Sequence, residues 1–324
     1  MTTPEPLICA YMLDRQGGGR PLAWDDLASL PGGDGVLWVH LHREAPETRA
    51  WLSSVAKLPE VAIEALLAAE SRPRATLFDD RLLLDLRGVN LNPGADPEDM
   101  VAIRGWIDAG RIVTVRRRRL MAIDDRRTAI DQGRGPRTAA GFVIVLAQNL
   151  LMRMSSVIGE LDDRVDALED EVLTAQSSAL RRRLAELRRQ AIALRRYIGP
   201  NREALARLQV EPPPWTEDRH RIQLREVADR ITRYIEDLDS ARDRAAVVQD
   251  ELASRISETM NRNTYVLSIV AGVFLPLSLL TGLLGINVAG IPGEKWPWAF
   301  ATVCLLLVLL GAFEVWLLRR HRWF

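Results

Sequence analysis

Small and polar residues recur with helical spacing along an apolar stretch of the sequence. They follow one another at alternating steps of three and four, which places them on one face of a helix, and they are Asn261, Thr264, Ser268, Ala271, Leu275, Ser278 and Gly282. Hydroxyl and amide oxygens on such a face could contact a hydrated cation, whereas small residues also let membrane helices pack closely. The stripe alone favours packing, but an asparagine at each end, Asn261 and Asn287, favours ion contacts.

Two neighbouring apolar runs indicate a helical hairpin that crosses a membrane. No residue from 263 to 293 is charged, and Glu314 is the one charged residue from 296 to 318. Because a bilayer core needs roughly 20 apolar residues per helix, we predict spans near 264–284 and 297–318. A buried core helix would explain one such run, but two in succession, in a chain otherwise rich in arginine and acids, favour the membrane.

Basic residues flank this hairpin on one side of the membrane. Arg255 and Arg262 precede the first span, and Arg319, Arg320 and Arg322 follow the second, while the loop carries only Lys295. The positive-inside rule then places both termini in the cytoplasm, and we expect the chain to lie in the inner membrane. The last three arginines are candidates for a basic collar around the inner end of a pore. The first residues, MTTPEPLICAYMLDRQGGG, do not have the pattern of a signal peptide.

Composition excludes several other classes of function. The formal net charge is zero, so bulk charge does not indicate a nucleic-acid partner. Two cysteines, Cys9 and Cys304, are too few for a disulfide framework or a structural zinc site. No phosphate-binding loop, nucleophile elbow or metalloprotease motif is present, so neither an enzyme nor a cofactor is predicted.

The first 140 residues read as a mixed α/β domain. Strand-like apolar runs are LICAYML, GVLWVHLH, RLLLDLRGVNL, MVAIRGWID and GRIVTVRR. Helical periodicity occupies residues 44–70, and Pro59 is expected to split that segment into two helices. In the strand WVHLH, His40 and His42 face the same side and could share a metal, but without a nearby acid or thiol a structural or surface role is favoured.

Long helices follow, beginning with a charged pair from about 141 to 175 and from about 178 to 208. The first concentrates acids in GELDDRVDALEDEVL and the second concentrates arginines in RRRLAELRRQAIALRRYIGPNR, with a kink expected at Pro200. Two interpretations stay open: an antiparallel pair with complementary faces, or an acidic strip that gathers cations near a pore.

A third helix is predicted from about 217 through the first span to 284, because there is no proline or glycine from 216 to 271. Apolar residues recur every seven positions, with a second set three further on; they are Leu224, Ile231, Leu238, Ala245 and Leu252, then Val227, Tyr234, Ala241 and Val248. This pattern indicates packing against other helices along a stalk. His220 and His321 lie in charged surroundings and are expected to be solvated.

One chain with two spans cannot enclose a pathway, so a pore requires several copies, for which cyclic symmetry is the default. One helix per subunit would then line the axis with rings of neutral oxygens. Movement of the stalk could gate apolar rings at Leu267 or Leu275.

The segment ETMNRNTYVLSIVAGVFLPLSLLTGLLGIN resembles the signature of the CorA superfamily of divalent-metal transporters. Its proline-leucine-serine triplet, Pro276 to Ser278, and its terminal Gly-x-Asn, at Gly285, Ile286 and Asn287, match that signature position by position. The resemblance covers most of the chain and implies a funnel-shaped homopentamer. It also implies that five copies of Asn287 form an entrance ring to a hydrated cation, and that Gly285 permits the turn that aims them inward.

Ile286 followed by VAGIPG is more similar to the ZntB branch of the superfamily, which is associated with zinc, than to the magnesium branch. The stripe contains neither histidine nor cysteine, the usual zinc ligands, so the ion is expected to pass hydrated. Magnesium and cobalt remain alternatives, since magnesium keeps its water shell. From another class, a membrane-anchored sensor or scaffold would explain the heptads but not the two asparagines.

Two charged features remain. Glu314 lies near the predicted cytoplasmic end of its span, where an ion pair with Arg319 is favoured over a proton relay. The run from Arg116 to Arg119 is interpreted as a basic loop, with lipid headgroups or nucleic acid as the alternative.

The predicted architecture is α+β with partners limited to other copies of the chain, membrane lipid and divalent cations. Its segments are a cytoplasmic α/β domain at 1–140, a helical pair at 141–215, a stalk at 216–262, a transmembrane hairpin at 263–318 with an outer loop at 285–296, and a basic cytoplasmic tail at 319–324.

Overall fold

The computed structural model describes residues 4–29, 34–174, 178–285 and 296–320. They belong to two compact units, of which the first ends at Gln249 and the second begins at Asp250. The predicted segment boundaries at 140 and 215 lie inside the first unit. The division between the two units falls within the long third helix.

Seven strands form one mixed sheet in the first unit. In chain order they are β1 (Leu7–Leu13), β2 (Gly19–Pro21), β3 (Val36–His42), β4 (Arg74–Phe78), β5 (Arg81–Gly88), β6 (Val101–Ile107) and β7 (Arg111–Arg116). Their spatial order is β2-β1-β3-β7-β6-β5-β4, and the β3–β7 pair is parallel whereas the other pairs are antiparallel. The five apolar runs read as strands in the sequence are β1, β3, β5, β6 and β7. The short β2 and the half-exposed β4 were not predicted.

Helices account for most of the remaining chain. They are a 3-10 turn at Asp25–Leu27, α1 (Pro46–Ser54), α2 (Glu60–Leu67), α3 (Met121–Asp131), α4 (Ala139–Thr174), α5 (Ser178–Val210), α6 (Asp218–Leu284) and α7 (Ala299–Arg320). Pro59 separates α1 from α2 as predicted. Helix α5 continues through Pro200, and α3 was not predicted.

Both faces of the sheet are covered. On one face, α1 and α2 pack on a cluster of apolar side chains formed by Val39, Leu41, Leu52, Ile63, Leu66, Leu83, Trp106, Val113 and Val115. On the other face, the ring of Phe142 in α4 lies 5.0 Å from that of Trp38. A Cβ atom at Gly88 would lie 2.7 Å from Leu150 Cδ2, so a larger residue at this position would make the Leu150 side chain of α4 shift. Burial on two faces explains the nearly continuous apolar run of β3.

Three histidines, His40, His42 and His220, are each held by a contact within the fold, and His321 lies outside the described residues. His40 is fully buried on β3, where its Nδ1 lies 2.8 Å from Thr114 Oγ1, and burial holds the pKa of its imidazole well below the ordinary value. His42 Nδ1 accepts the N–H of Glu44 at 3.2 Å. His220 was expected in solvent, and that prediction is wrong: it is buried and accepts the N–H of Glu217 at the start of α6.

Three helices are long and apolar enough to cross a membrane by length and composition, namely α4, α6 and α7. Half of the residues in the most apolar part of α4 are buried inside the chain, whereas no residue is buried in the most apolar parts of α6 and α7. Packing on the sheet therefore accounts for the apolar face of α4. The apolar parts of α6 and α7 have no buried residues, and the two predicted spans, 264–284 and 297–318, fall on the end of α6 and on α7.

The heptad pattern of α6 matches burial in the structure. Its apolar positions from Leu224 to Leu252 are buried, except for the half-buried Tyr234. Beyond Leu252 none of the described residues of α6 is buried. The apolar stripe of the stalk thus ends before the predicted span begins.

We expect a truncated chain of residues 1–262 to remain in the soluble fraction after cell lysis, because the apolar face of α4 is packed within the chain. The full chain serves as the control and should sediment with membranes. Membrane association of the truncated chain, resistant to alkaline carbonate, would mean that α4 also spans a membrane.

Candidate ion-conducting site

The second unit contains two apolar helical segments with one less exposed face each. On α6 the less exposed residues of the apolar part are Ile269, Val273, Pro276, Leu277 and Leu280; on α7 they are Ala299, Val303, Leu307, Leu310, Gly311 and Glu314. Each set recurs at steps of three and four and therefore forms one face of its helix. A Cβ atom at Gly311 would lie 3.9 Å from Leu277 Cδ1, so these two faces approach each other.

The predicted pore residues lie on the other side of α6. All of them are exposed; they are Asn261, Thr264, Leu267, Ser268, Ala271, Leu275, Ser278 and Gly282. At 3.6 residues per turn, the middle of this set is roughly opposite the face that approaches α7. The two candidate gating residues, Leu267 and Leu275, are each 69% exposed. The stripe is therefore a surface that the rest of the described chain leaves open.

The end of α6 contains the start of the Gly-x-Asn motif. The N–H of Gly285 donates to the carbonyl of Thr281 at 3.0 Å, and Thr281 Oγ1 in turn donates to the carbonyl of Leu277 at 3.0 Å. Pro276 lies inside the helix, and because it has no N–H, the carbonyl of Gly272 receives no helical hydrogen bond from it. Ile286 and Asn287 lie outside the described residues.

Of the three arginines of the predicted basic collar, only Arg320 has a side chain among the described atoms. Arg320 lies over the ring of Trp316, with its guanidinium carbon 5.4 Å from the ring centre. Arg319 is helical, but its side chain lies outside the described atoms, as does the whole of Arg322. The collar stays a prediction.

Glu314 faces α6 rather than the exposed side of α7. Its Oε2 is inaccessible to solvent and has no hydrogen-bond partner among the residues that the structure describes. The favoured ion pair with Arg319 involves a side chain outside that set, so it stays a prediction, as does the alternative of a proton relay.

The acids of α4 are held by arginines of two other helices. The guanidinium of Arg244 in α6 contacts three carboxylates of α4, those of Asp162 at 3.0 Å, Glu169 at 2.8 Å and Asp166. The hydrogen bonds that the Arg244 guanidinium donates to Glu169 and Asp166 raise the pKa of Arg244 above its ordinary value. Arg183 of α5 pairs with Glu171 at 2.6 Å. Complementary charged faces are therefore present, and α6 contributes to them as well as α5.

No metal-binding cluster of three or more histidine, cysteine, aspartate or glutamate residues occurs within residues 4–29, 34–174, 178–285 and 296–320. The exposed stripe likewise offers only neutral amide and hydroxyl oxygens. Hard, oxygen-preferring or fully hydrated cations suit such groups better than a stripped zinc ion does.

An α/β unit followed by a long helix that ends in an uncovered apolar hairpin defines a membrane protein with a large extramembrane part. Residues 33–320 match the family model of the CorA-like Mg2+ transporter proteins. The chain belongs to this family. Membership in a family of transporters confirms that no enzyme is to be expected.

Several relatives match over almost the full chain. The divalent cation transporter CmaX of Pseudomonas aeruginosa strain PAO1 is 41% identical over 98% of this chain and 96% of its own. The zinc transport protein ZntB of Pectobacterium carotovorum is 38% identical over 98% of this chain and 95% of its own.

Solved structures give the same result for the fold. The full-length CmaX structure covers 99% of both chains with a TM-score of 0.87 and 40% identity. The CorA magnesium transporter of Methanocaldococcus jannaschii covers 100% of both chains with a TM-score of 0.82, and at 18% identity it supports the fold alone.

We expect the substitution Arg244→Ala to lower the free energy of unfolding by about 1–2 kcal/mol, because several exposed or half-exposed ion pairs are lost together and their carboxylates then repel one another. Arg244→Lys should recover part of the loss, since an ammonium cannot contact several carboxylates in the same planar geometry. Thermal unfolding of the purified full chain measures the effect.

Arg242→Ala is the matched control, because among the described residues Arg242 pairs with acids of its own helix alone, Asp239 at 3.4 Å and Asp243 at 2.8 Å. An equal loss in both variants would contradict a special role for the contacts between α4 and α6.

Proposed function

We propose that the chain transports divalent metal cations, with zinc as the principal ion, across the inner membrane through a homopentameric pore. The observation that carries the proposal is the stripe of small and polar residues on the side of α6 away from α7. Two kinds of relative support it: CmaX is named a divalent cation transporter and ZntB a zinc transport protein.

The physical argument starts from the cost of polar groups in hydrocarbon. An amide or hydroxyl that faces lipid without a partner is unfavourable by a few kcal/mol. Asn261, Thr264, Ser268 and Ser278 are all exposed in the single chain. In a membrane these residues therefore face water or another copy of the chain, and a ring of copies around an axis provides both.

The remaining surface suits lipid. Large apolar side chains are exposed on α7 and directly before it, among them Trp298, Phe300, Leu305, Val308 and Phe313. Aromatic residues near the ends of a span are typical of the interface between the membrane and water. In the proposed assembly, α6 lines the pore and α7 forms the outer layer.

Selectivity in this proposal rests on hydration. Five copies of Asn287, turned inward after Gly285 and Ile286, would present amide oxygens to the water shell of an entering cation. Further along the pore, rings of Leu267 or Leu275 would form an apolar gate that closes by excluding water. Arg319, Arg320 and Arg322 would surround the cytoplasmic end, where both termini lie.

A magnesium or cobalt channel is the alternative within the same family, because hydrated magnesium suits the same neutral rings. A membrane-anchored sensor or scaffold is the alternative from another class. The oligomeric state of the purified protein in detergent, measured by light scattering, distinguishes the scaffold from the transporter. A monomer or dimer would favour the scaffold, because it cannot form a closed ring.

We expect liposomes that contain the purified protein to take up radioactive zinc, and Asn287→Ala to reduce the uptake by about tenfold or more, since hydrogen bonds to charged groups contribute about 1.5–3 kcal/mol each. Asn263→Ala is the matched control: it removes the same amide from an exposed position of α6 that is not part of the stripe.

Equal losses in the two variants would contradict a special role of Asn287. Magnesium uptake with no zinc uptake would mean that magnesium, not zinc, is the transported ion.

In the same vesicles, pH and voltage are set independently, and Glu314→Gln is tested under both gradients. A response to pH that disappears in this variant would assign a proton relay to Glu314 and contradict simple channel flow.

A further inference from the structure

A cavity of about 620 Å3 in the first unit is unusually rich in arginine. It lies among the end of β5, the start of β6, the chain that follows α2, and α5. Eight of its lining residues are arginines, whereas two, Glu70 and Asp99, are acids. We call it the arginine cavity. Its volume is within the range of pockets that hold small organic ligands, about 300–1,000 Å3.

Three of the arginines, Arg104, Arg43 and Arg87, donate to backbone carbonyl groups. The side chain of Arg104 is 4% exposed and donates to the carbonyl of Leu66 at 2.9 Å and to Ser71 Oγ at 3.0 Å. Arg43 donates to the carbonyls of Ala68 and Ala69 at 2.8 and 3.1 Å. Their guanidinium groups are therefore held in position without any ligand, as a preorganised binding site requires.

A third arginine is stacked on an aromatic ring. The guanidinium carbon of Arg87 lies 4.4 Å from the ring centre of Tyr197, and its Nε is buried without a hydrogen-bond partner among the described residues. Asn201 holds α5 in place here, because its side-chain amide accepts the N–H and donates to the carbonyl of Arg87 at 3.0 and 2.8 Å. The pairing of β5 with β4 stops at Asp85, so beyond it Asn201 of α5, in place of a strand, bonds to the backbone of Arg87.

Positive charge in the cavity is only partly balanced. Asp85 lies 3.3 Å from Arg104, and Arg117 and Arg118 pair with Glu44 and Asp99. Within the described part of the chain, neither Arg72 nor Arg196 has a carboxylate partner, although both line the cavity and are exposed.

Mutual repulsion among these groups is visible at Arg104. Burial lowers the pKa of Arg104, Asp85 raises it, and the neighbouring Arg43, Arg87 and Arg74 lower it further. A bound anion would relieve this repulsion.

We propose that the arginine cavity binds a small soluble anion that carries two or more phosphate groups. Planar guanidinium groups bind phosphate oxygens in pairs, and several of them at separate positions fit more than one phosphate. A lipid headgroup has the same phosphate chemistry, but the arginines surround a cavity with the volume of a whole small ligand, which favours a soluble ligand that enters it. This proposal is independent of which cation the chain transports.

The test uses the purified full chain in detergent with EDTA, so that no metal bridges ligand and protein. Titration calorimetry with inorganic triphosphate should show saturable binding. The double variant Arg72→Ala/Arg196→Ala should weaken it by about tenfold or more, because two charged hydrogen-bond donors are lost. Arg81→Ala/Arg202→Ala is the matched control, with exposed arginines of β5 and α5 that do not line the cavity.

Unchanged binding in the control, together with unchanged thermal unfolding in both double variants, supports the site. No saturable binding of triphosphate to the wild-type chain would overturn the proposal, and so would equal weakening in the two double variants. Vesicles containing phosphatidylglycerol form the second arm: binding to these vesicles that the cavity variant abolishes, without triphosphate binding, would overturn a soluble ligand in favour of a lipid headgroup.

Discussion

The structure depends on how α6 distributes its apolar surface. Over its first part the helix buries one apolar stripe, ending at Leu252, and beyond that residue none of its described side chains is fully buried. Apolar surface that a chain cannot cover itself must be covered by lipid or by another protein. The same helix is therefore part of a folded protein core at one end and presents an apolar surface for lipid or another protein at the other. Its polar stripe is compatible with the membrane only if part of its circumference faces water or another copy.

Much of this fold is readable in the sequence because the relevant signals are local. The absence of proline and glycine from 216 to 271 predicts an uninterrupted helix, and seven-residue spacing predicts which of its side chains are buried. Strands β3, β5, β6 and β7 are visible because both faces of the sheet are covered, so their apolar runs are nearly continuous. In contrast, β2 has three residues and β4 begins and ends in exposed residues, so neither carries a run long enough to recognise.

Other features depend on contacts between distant segments. His220 looks solvated because its neighbours in the sequence are charged, yet the fold buries it. The acids of α4 resemble a cation-gathering strip until Arg244, which is 75 residues from Glu169, is seen to pair with them. The arginine cavity combines residues from α5, three strands and the loops between them, with no spacing pattern to reveal it. Its most recognisable signal is a charged residue within an apolar strand, such as Asp85 or Arg104.

The proposed pore uses neutral oxygens, and this limits how it can select an ion. Imidazole and thiolate would distinguish zinc from magnesium by direct coordination, but the stripe has neither. A ring of amides around a hydrated cation instead responds to the charge and size of the whole hydrated ion. Discrimination between metals of equal charge is then weak within α6 itself. In this proposal the choice of ion is made at the Gly-Ile-Asn mouth or by the force that drives uptake, and substitutions along the helix would change the rate of transport more than the preference among metals.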